Sequence, residues 1–300
     1  MTVAAAALRT LGPGDETALE SFLRRHAHAS MFLRSNARAG GLVDRGEPLQ
    51  ATYVAAVEDG AVVGVAAHCW NGMVLMQAPD GSSLEALVCA AAQRSGRAVE
   101  GLAGPWAQVT AARVALGLGA AATTLDSREA LYALDLADLV VPRPLAAGLA
   151  RCRPPADVEL PALVAWRAAF CVEALGAADG AALRAECKED VARLHGARAH
   201  FVLEEDAGQA VAYAAFNAAL PDTVQVGGVY VPGPLRGRGR GRAVVAGALL
   251  AAREGGVAHA LLFTAEANAP ARSAYESLGF RPAGDYGLVL FADPVPPPPT

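Results

Sequence analysis

The order of turn and periodicity signals constrains this chain most, because the same order occurs twice. In the first half, "DETALESFLRRH" (residues 15–26) places Leu19, Phe22 and Leu23 at helical spacing behind a capping Asp15. Two β-rich runs in residues 51–70 follow, broken at Asp59-Gly60, a strong hairpin signal. The run "MVLMQAP" precedes a helix over "SLEALVCAAAQRSG", a strand "RAVEGLAG" and a helix "AQVTAARVALGLG" that ends at glycine. The second half offers helices over "DVELPALVAWRAAFCVEALG" and "AALRAECKEDVARLHG", then a hairpin turning near Asp206-Ala207-Gly208. A strand "TVQVGGVYV", a helix through Arg253, a strand "AHALLFTA", a helix "PARSAYESLG" and a closing hairpin around Gly284-Asp285 complete it. Such a mixture predicts a duplicated α/β fold, each copy a mixed sheet flanked by helices.

Three hundred residues that are 53% hydrophobic suffice for two cores. The prolines of "VVPRPLAAGLA" mark a boundary, giving domains over 1–145 and 146–293 and an extended Pro-rich tail over 294–300. A net charge of −5 argues against general binding of polyanions. Lys188 is the sole lysine, so no Walker loop exists and cationic contacts fall to arginine. The five cysteines form no C-x-x-C pair, the N-terminus lacks a basic signal-peptide region, and no apolar run is long enough to span a bilayer. These features predict a reduced, cytoplasmic protein without a membrane partner. His26, His28, His68, His195, His200 and His259 have no metal-ligand spacing, so no metal is expected.

One stretch stands apart: "LRGRGRGRAVV", residues 235–245. Arg-Gly tracts that bind RNA interleave aromatic residues, but none lies between Tyr230 and Phe263. The run leads instead into a helical stripe of Val245, Ala248, Leu249 and Ala252. A folded strand, glycine-rich loop and helix N-terminus make a site for an anion such as pyrophosphate, and no nucleic acid is expected as partner. Arg242 stands where a dinucleotide fingerprint needs its last glycine, which disfavours a nicotinamide cofactor.

Arg236-x-x-Gly239-x-Gly241, between the strand "VGGVYVPG" and a helix, resembles the coenzyme A loop of the GCN5-related N-acetyltransferase (GNAT) family. The segment "TAEANAPARSAYESLGF" (264–280) resembles that family's strand, Asn and helix ending in Tyr-x-x-Leu-Gly-Phe. The resemblance implies two tandem GNAT-like domains, the first a degenerate copy without the coenzyme loop, each with a splayed central strand pair. It implies acetyl transfer from acetyl-CoA, as co-substrate, to a small-molecule or peptide primary amine by direct attack in a ternary complex. Backbone amides of Arg236, Gly237, Arg238, Gly239, Arg240, Gly241 and Arg242 would cradle the pyrophosphate. Gly227 and Gly228 would bulge the strand, an amide within Val229, Tyr230 and Val231 would polarise the thioester carbonyl, and Asn268 would bond the coenzyme.

Tyr275 is then the candidate acid for the departing thiolate, as well as a coenzyme contact. The family often places a Glu before its coenzyme loop, where this chain has Gln225; Glu173, Asp222 and Asp285 are other carboxylates within reach, and Glu173 is the candidate base. The missing Glu keeps a second reading open, a non-catalytic acyl-CoA-binding or sensory module. Either a monomer or a homodimer is compatible with an internal duplication.

Overall fold

The computed structural model describes residues 6–81, 83–205 and 208–298. The chain divides into two compact units: unit 1 comprises Met1–Leu131 and Gly284–Thr300, and unit 2 comprises Tyr132–Ala283.

Unit 1 holds β1 (Ala7–Thr10), α1 (Glu16–Arg24), α2 (Met31–Gly40), β2 (Ala51–Glu58), β3 (Ala61–Cys69), β4 (Met73–Gln77), α3 (Leu84–Ser95), β5 (Val99–Gly104) and α4 (Trp106–Ala115). Strand β6 (Thr123–Asp135) begins in it, and most of the last strand, β12 (Arg281–Val295), belongs to it. The sheet runs β1-β2-β3-β4-β5-β12, antiparallel except for β4 with β5. The β2–β3 hairpin turns as expected, with positive φ at both Asp59 and Gly60. Gly101 lets β5 lie close between its neighbours, since a Cβ there would stand 2.5 Å from both Met73 Sδ and Val289 O. Leu87 and Val88 of α3, and Val109 and Ala112 of α4, close a core with Leu102, Val289 and Phe291.

Unit 2 holds α5 (Arg143–Ala146), β7 (Arg151–Arg153), α6 (Leu160–Leu175), α7 (Ala181–Gly196), β8 (His200–Glu204), β9 (Ala210–Ala219), β10 (Thr223–Tyr230), α8 (Arg240–Glu254), β11 (His259–Ala265) and α9 (Ala269–Glu276). Its strands run β11-β10-β9-β8-β7. Residues 211–216 of β9 are all buried, so both its faces are covered. Leu163, Val191 and Leu194 of α6 and α7 pack on Val202, Tyr213 and Ala215, while α8 packs on β7, β8 and β9. Apart from α5 and short turns, both units follow one order: strand, two helices, three strands, helix, strand, helix.

The structure departs from the sequence reading at several points. Helix α2 and strands β1, β6 and β7 were not anticipated. No closing hairpin forms at Gly284-Asp285, because β12 continues through both residues with Gly284 at φ +140° and its later part pairs along β5. Asp15 stands ahead of α1, but its carboxylate is taken by Arg9 at 2.7 Å and by the Gly12 N–H. The turn expected near Asp206-Ala207-Gly208 falls in part on residues 206–207, outside the described residues. The sequence boundary at 145–146 falls at the end of α5, within unit 2. Of the Pro-rich tail, Val295 pairs with Val99 as part of β12.

Candidate active site

The site candidates lie in unit 2, apart from Asp285. The parallel ladder between β10 and β11 runs from Thr223↔His259 to Gln225↔Leu261 and stops there. Beyond it β10 continues to Tyr230 and β11 to Ala265 without pairing, which opens a wedge between them. On its other side β10 shifts register against β9 between Gly227 and Tyr230. Gly228 takes a left-handed φ of +59°, which completes the expected bulge. Side chains fill the space that the two glycines leave: a Cβ at Gly227 would meet Asn217 Nδ2 at 1.9 Å, and one at Gly228 would meet Arg167 Nη1 at 2.6 Å. Gln225, at the apex of the wedge, is 2% exposed; its amide donates to Val226 O and its Oε1 has no partner among the described residues. No carboxylate occupies that position.

Val229, Tyr230 and Val231 line the end of β10 where it has left β11. The loop then passes through a turn over Gly233–Leu235 to Gly237 and Gly239, both left-handed at φ +78° and +74°. Gly239 is the N-cap of α8, and the first helical bond closes from Ala243 N–H to Gly239 O. The N–H groups of Arg240, Gly241 and Arg242 therefore precede the ladder and have no acceptor among the described residues. A side chain at Gly241 would only touch Val231 and Val229.

The four arginines of the loop have different partners. Arg240 is bound to Glu205 through Nε and Nη2 and to Leu235 O through Nη1. Arg242 reaches Ser277 Oγ at 3.4 Å, with its buried Nε unpartnered among the described residues. Arg236 bonds Val231 O at 2.8 Å and pairs with Glu173 at 2.6 Å. Arg238 is exposed and has no ion-pair partner among the described residues.

At the far side of the wedge, Asn268 caps α9, accepting from Ala271 N–H at 3.2 Å, which leaves its amide nitrogen free to donate. Tyr275, on α9, sets its ring at 65° to Phe280 with centroids 6.1 Å apart. Its hydroxyl bonds no group among the described residues, and burial pushes its pKa up to about 12.

Residues 161–280 match the model of the acetyltransferase (GNAT) family. This segment belongs to the GNAT family. Comparison with curated proteins gives no match. Among solved structures, a Drosophila protein superposes with TM-score 0.68 at 12% identity, covering 95% of this chain and 98% of its own. A tandem GNAT protein from the clavulanic acid biosynthesis pathway gives 0.56 at 16% identity over 98% and 99%. A GCN5-related N-acetyltransferase from Sphaerobacter thermophilus gives 0.57 at 18% identity, covering 94% of both chains. At these identities the likeness is one of fold, and it extends over both halves of the chain. Among the described residues no helix is long and apolar enough to cross a membrane, and no group of three acidic, His or Cys side chains gathers as for a metal.

Within the GNAT domain, Glu173 of α6 comes to the end of β10, where it accepts from Arg236 and from the Tyr230 hydroxyl at 3.3 Å. Desolvation and the Glu173 charge raise the Tyr230 pKa. Asp222 stands at the paired end of β10, where its backbone carbonyl accepts from Ala258 and His259. Asp285 lies in unit 1, bonded to Arg128 at 2.8 Å. Sequence reasoning did not find Arg167 or Asn217, which face the bulge, nor the polar groups behind them. Two adjacent glycines in a strand were the available signal, because the volume they leave must be filled from elsewhere.

Proposed function

We propose that the GNAT domain transfers an acetyl group from acetyl-CoA to a primary amine. The observation that carries this reading is the passage of two left-handed glycines, Gly237 and Gly239, into the N-terminus of α8 beside the mouth of the β10–β11 wedge. Open N–H groups and the positive helix end suit a pyrophosphate. Arg238, and Arg236 if it leaves Glu173, would add charge-assisted bonds. The unpaired edges of β10 and β11 suit an extended arm bearing amides, as pantetheine does. When bound, acetyl-CoA supplies an activated carbonyl and a thiolate leaving group. An N–H within Val229–Val231 would polarise that carbonyl, and the free amide of Asn268 would hold the coenzyme.

Tyr275 remains protonated throughout the neutral range and, having no partner among the described residues, is available to give its proton to the departing sulfur. Glu173 is better suited to holding Arg236 than to taking a proton, since a guanidinium and a phenol already occupy its oxygens. Gln225 and the engaged Glu173 favour one alternative, an acyl-CoA-binding module without acceptor chemistry. Titration calorimetry with CoA and acetyl-CoA tests the shared claim, and absence of heat with both ligands would remove it. Amine-dependent release of CoA, followed chromatographically, separates enzyme from binding module.

A further inference from the structure

Four polar side chains that the chemistry above does not use form a file through unit 2. Asp157, in the turn ahead of α6, lies 3.0 Å from His195 Nε2. His195 Nδ1 lies 3.0 Å from His200 Nε2, and His200 Nδ1 lies 3.3 Å from the Tyr213 hydroxyl. The outer end is in solvent, with the Asp157 side chain 93% exposed, whereas His200 and Tyr213 are each 1% exposed.

The direction of every bond in the file follows from its outer end. An ionised carboxylate only accepts, so His195 carries its proton on Nε2 and offers Nδ1 as a lone pair. His200 then donates from Nε2 and accepts at Nδ1, which leaves the Tyr213 hydroxyl as the donor to it. The tyrosine oxygen retains lone pairs for one further donor.

The inner end lies against the bulge. Tyr213 pairs with Tyr230 across β9 and β10. Its ring edge stands 3.8 Å from the point where a side chain at Gly228 would begin, a point that Arg167 Nη1 approaches to 2.6 Å. A left-handed glycine thus brings the β10 backbone up to the buried tyrosine at the place where the strand leaves its neighbour.

We propose that Tyr213, His200, His195 and Asp157 are the proton exit for the acceptor amine, an inference that rests on the acetyl-transfer reading. As the amine nitrogen bonds to the acetyl carbon and the carbon–sulfur bond breaks, the sulfur takes the Tyr275 proton and the nitrogen sheds one of its own. That proton reaches the Tyr213 oxygen, directly or through one water, while the Tyr213 proton moves to His200 Nδ1. The His200 Nε2 proton moves to His195 Nδ1, and the His195 Nε2 proton leaves through Asp157 to water. Each O–H or N–H bond broken is matched by one formed; rotation of the imidazoles restores the file, and the proton released to water is balanced by one that water returns to the Tyr275 phenolate as CoA leaves.

The surroundings suit passage rather than storage. Desolvation and the neighbouring His195 lower His200 to about 4, so the buried ring does not retain a proton. Desolvation raises the Tyr213 hydroxyl above its ordinary value, so it rests neutral. The charged groups facing the file are Arg167 of α6 with Asp190 and Arg193 of α7, where Asp190 holds both arginines.

The test uses the full chain with acetyl-CoA and three probe acceptors: spermidine, glucosamine and the dipeptide Gly-Leu. His195→Ala, at a partly exposed position where folding is tolerant, should lower kcat on the best probe by about 10- to 100-fold, with CoA affinity within about twofold of wild type. Added imidazole should restore part of the loss, and the multi-proton solvent isotope effect of the wild type should shrink. Tyr213→Phe, which keeps the ring, should behave alike without imidazole rescue. Wild-type kcat in a folded His195→Ala chain that binds CoA would overturn the relay alone. No turnover of any probe by the wild type would overturn the acetyl-transfer reading and the relay together.

Discussion

Arg236 turns back from the glycine-rich loop to α6 and closes on Glu173, Nη2 to Oε2 at 2.6 Å, with its guanidinium carbon 5.5 Å from the centre of the Tyr230 ring. The pair holds the start of the loop against the end of β10. It also places a negative charge beside the proposed pyrophosphate site. Glu173→Gln keeps the shape and removes that charge. Because an exposed pair contributes about 0.2–1 kcal/mol, CoA affinity should rise by at most about fivefold, and the gain should fade with added salt. A positioning role predicts kcat within about threefold of wild type, whereas a fall of about a hundredfold would make Glu173 the base instead.

Tyr275 has the opposite signature. Tyr275→Phe removes the proposed donor and leaves the ring against Phe280, so kcat should drop by about 10²-fold while calorimetry finds CoA affinity unchanged. Desolvation pushes this hydroxyl up to about 12, so no loss of its proton should limit kcat between pH 7 and 10. An alkaline limb near pH 9 that vanishes in Tyr275→Phe would contradict this assignment.

That Arg236 lies in a glycine-rich loop ahead of a helix and Tyr275 on a later helix was legible in the sequence, through the two segments that carry the family resemblance. Also legible were the bulge, which Gly227-Gly228 announces, and the hairpin at Asp59-Gly60. Helix α2 was not readable: it buries Arg34, Ser35 and Asn36, whose inward orientation depends on Glu20 and Cys69 from other elements and breaks the apolar period. The closure of Arg236 on Glu173 spans 63 positions. The histidine file draws on four separate elements, and such a meeting leaves no pattern until the chain is folded.

The loop glycines give a graded test of backbone conformation. Gly237 and Gly239 sit in the left-handed region, where an alanine is strained by about 1–2 kcal/mol, but Gly233 has neither positive φ nor a close neighbour. Gly237→Ala and Gly239→Ala should therefore weaken CoA binding by about tenfold, and Gly233→Ala should leave it unchanged. Equal affinities in all three variants would show that the bend does not shape the site.

Acid sensitivity should come from two buried histidines. His68 of unit 1 is fully buried and bonded to Ser95 Oγ at 2.6 Å; desolvation and the charge of Arg97 lower its pKa to about 4. His200 of unit 2 is lowered to about 4 by desolvation and His195. An unfolded histidine titrates near 6.5, so between pH 6.5 and 4 the unfolded chain binds more protons at both positions than the folded one. Stability is thus fully present above that window and falls as pH drops through it, by up to about 3 kcal/mol per histidine. Carboxylates whose pKa is lowered by ion pairs, such as Asp44 and Glu159, lose their share only at still lower pH. Thermal melts between pH 7.5 and 4.5 should show a falling Tm, and His68→Gln and His200→Gln should each flatten part of the slope. A Tm that stays level down to pH 4.5 would mean that both rings find protons, or partners, inside the fold.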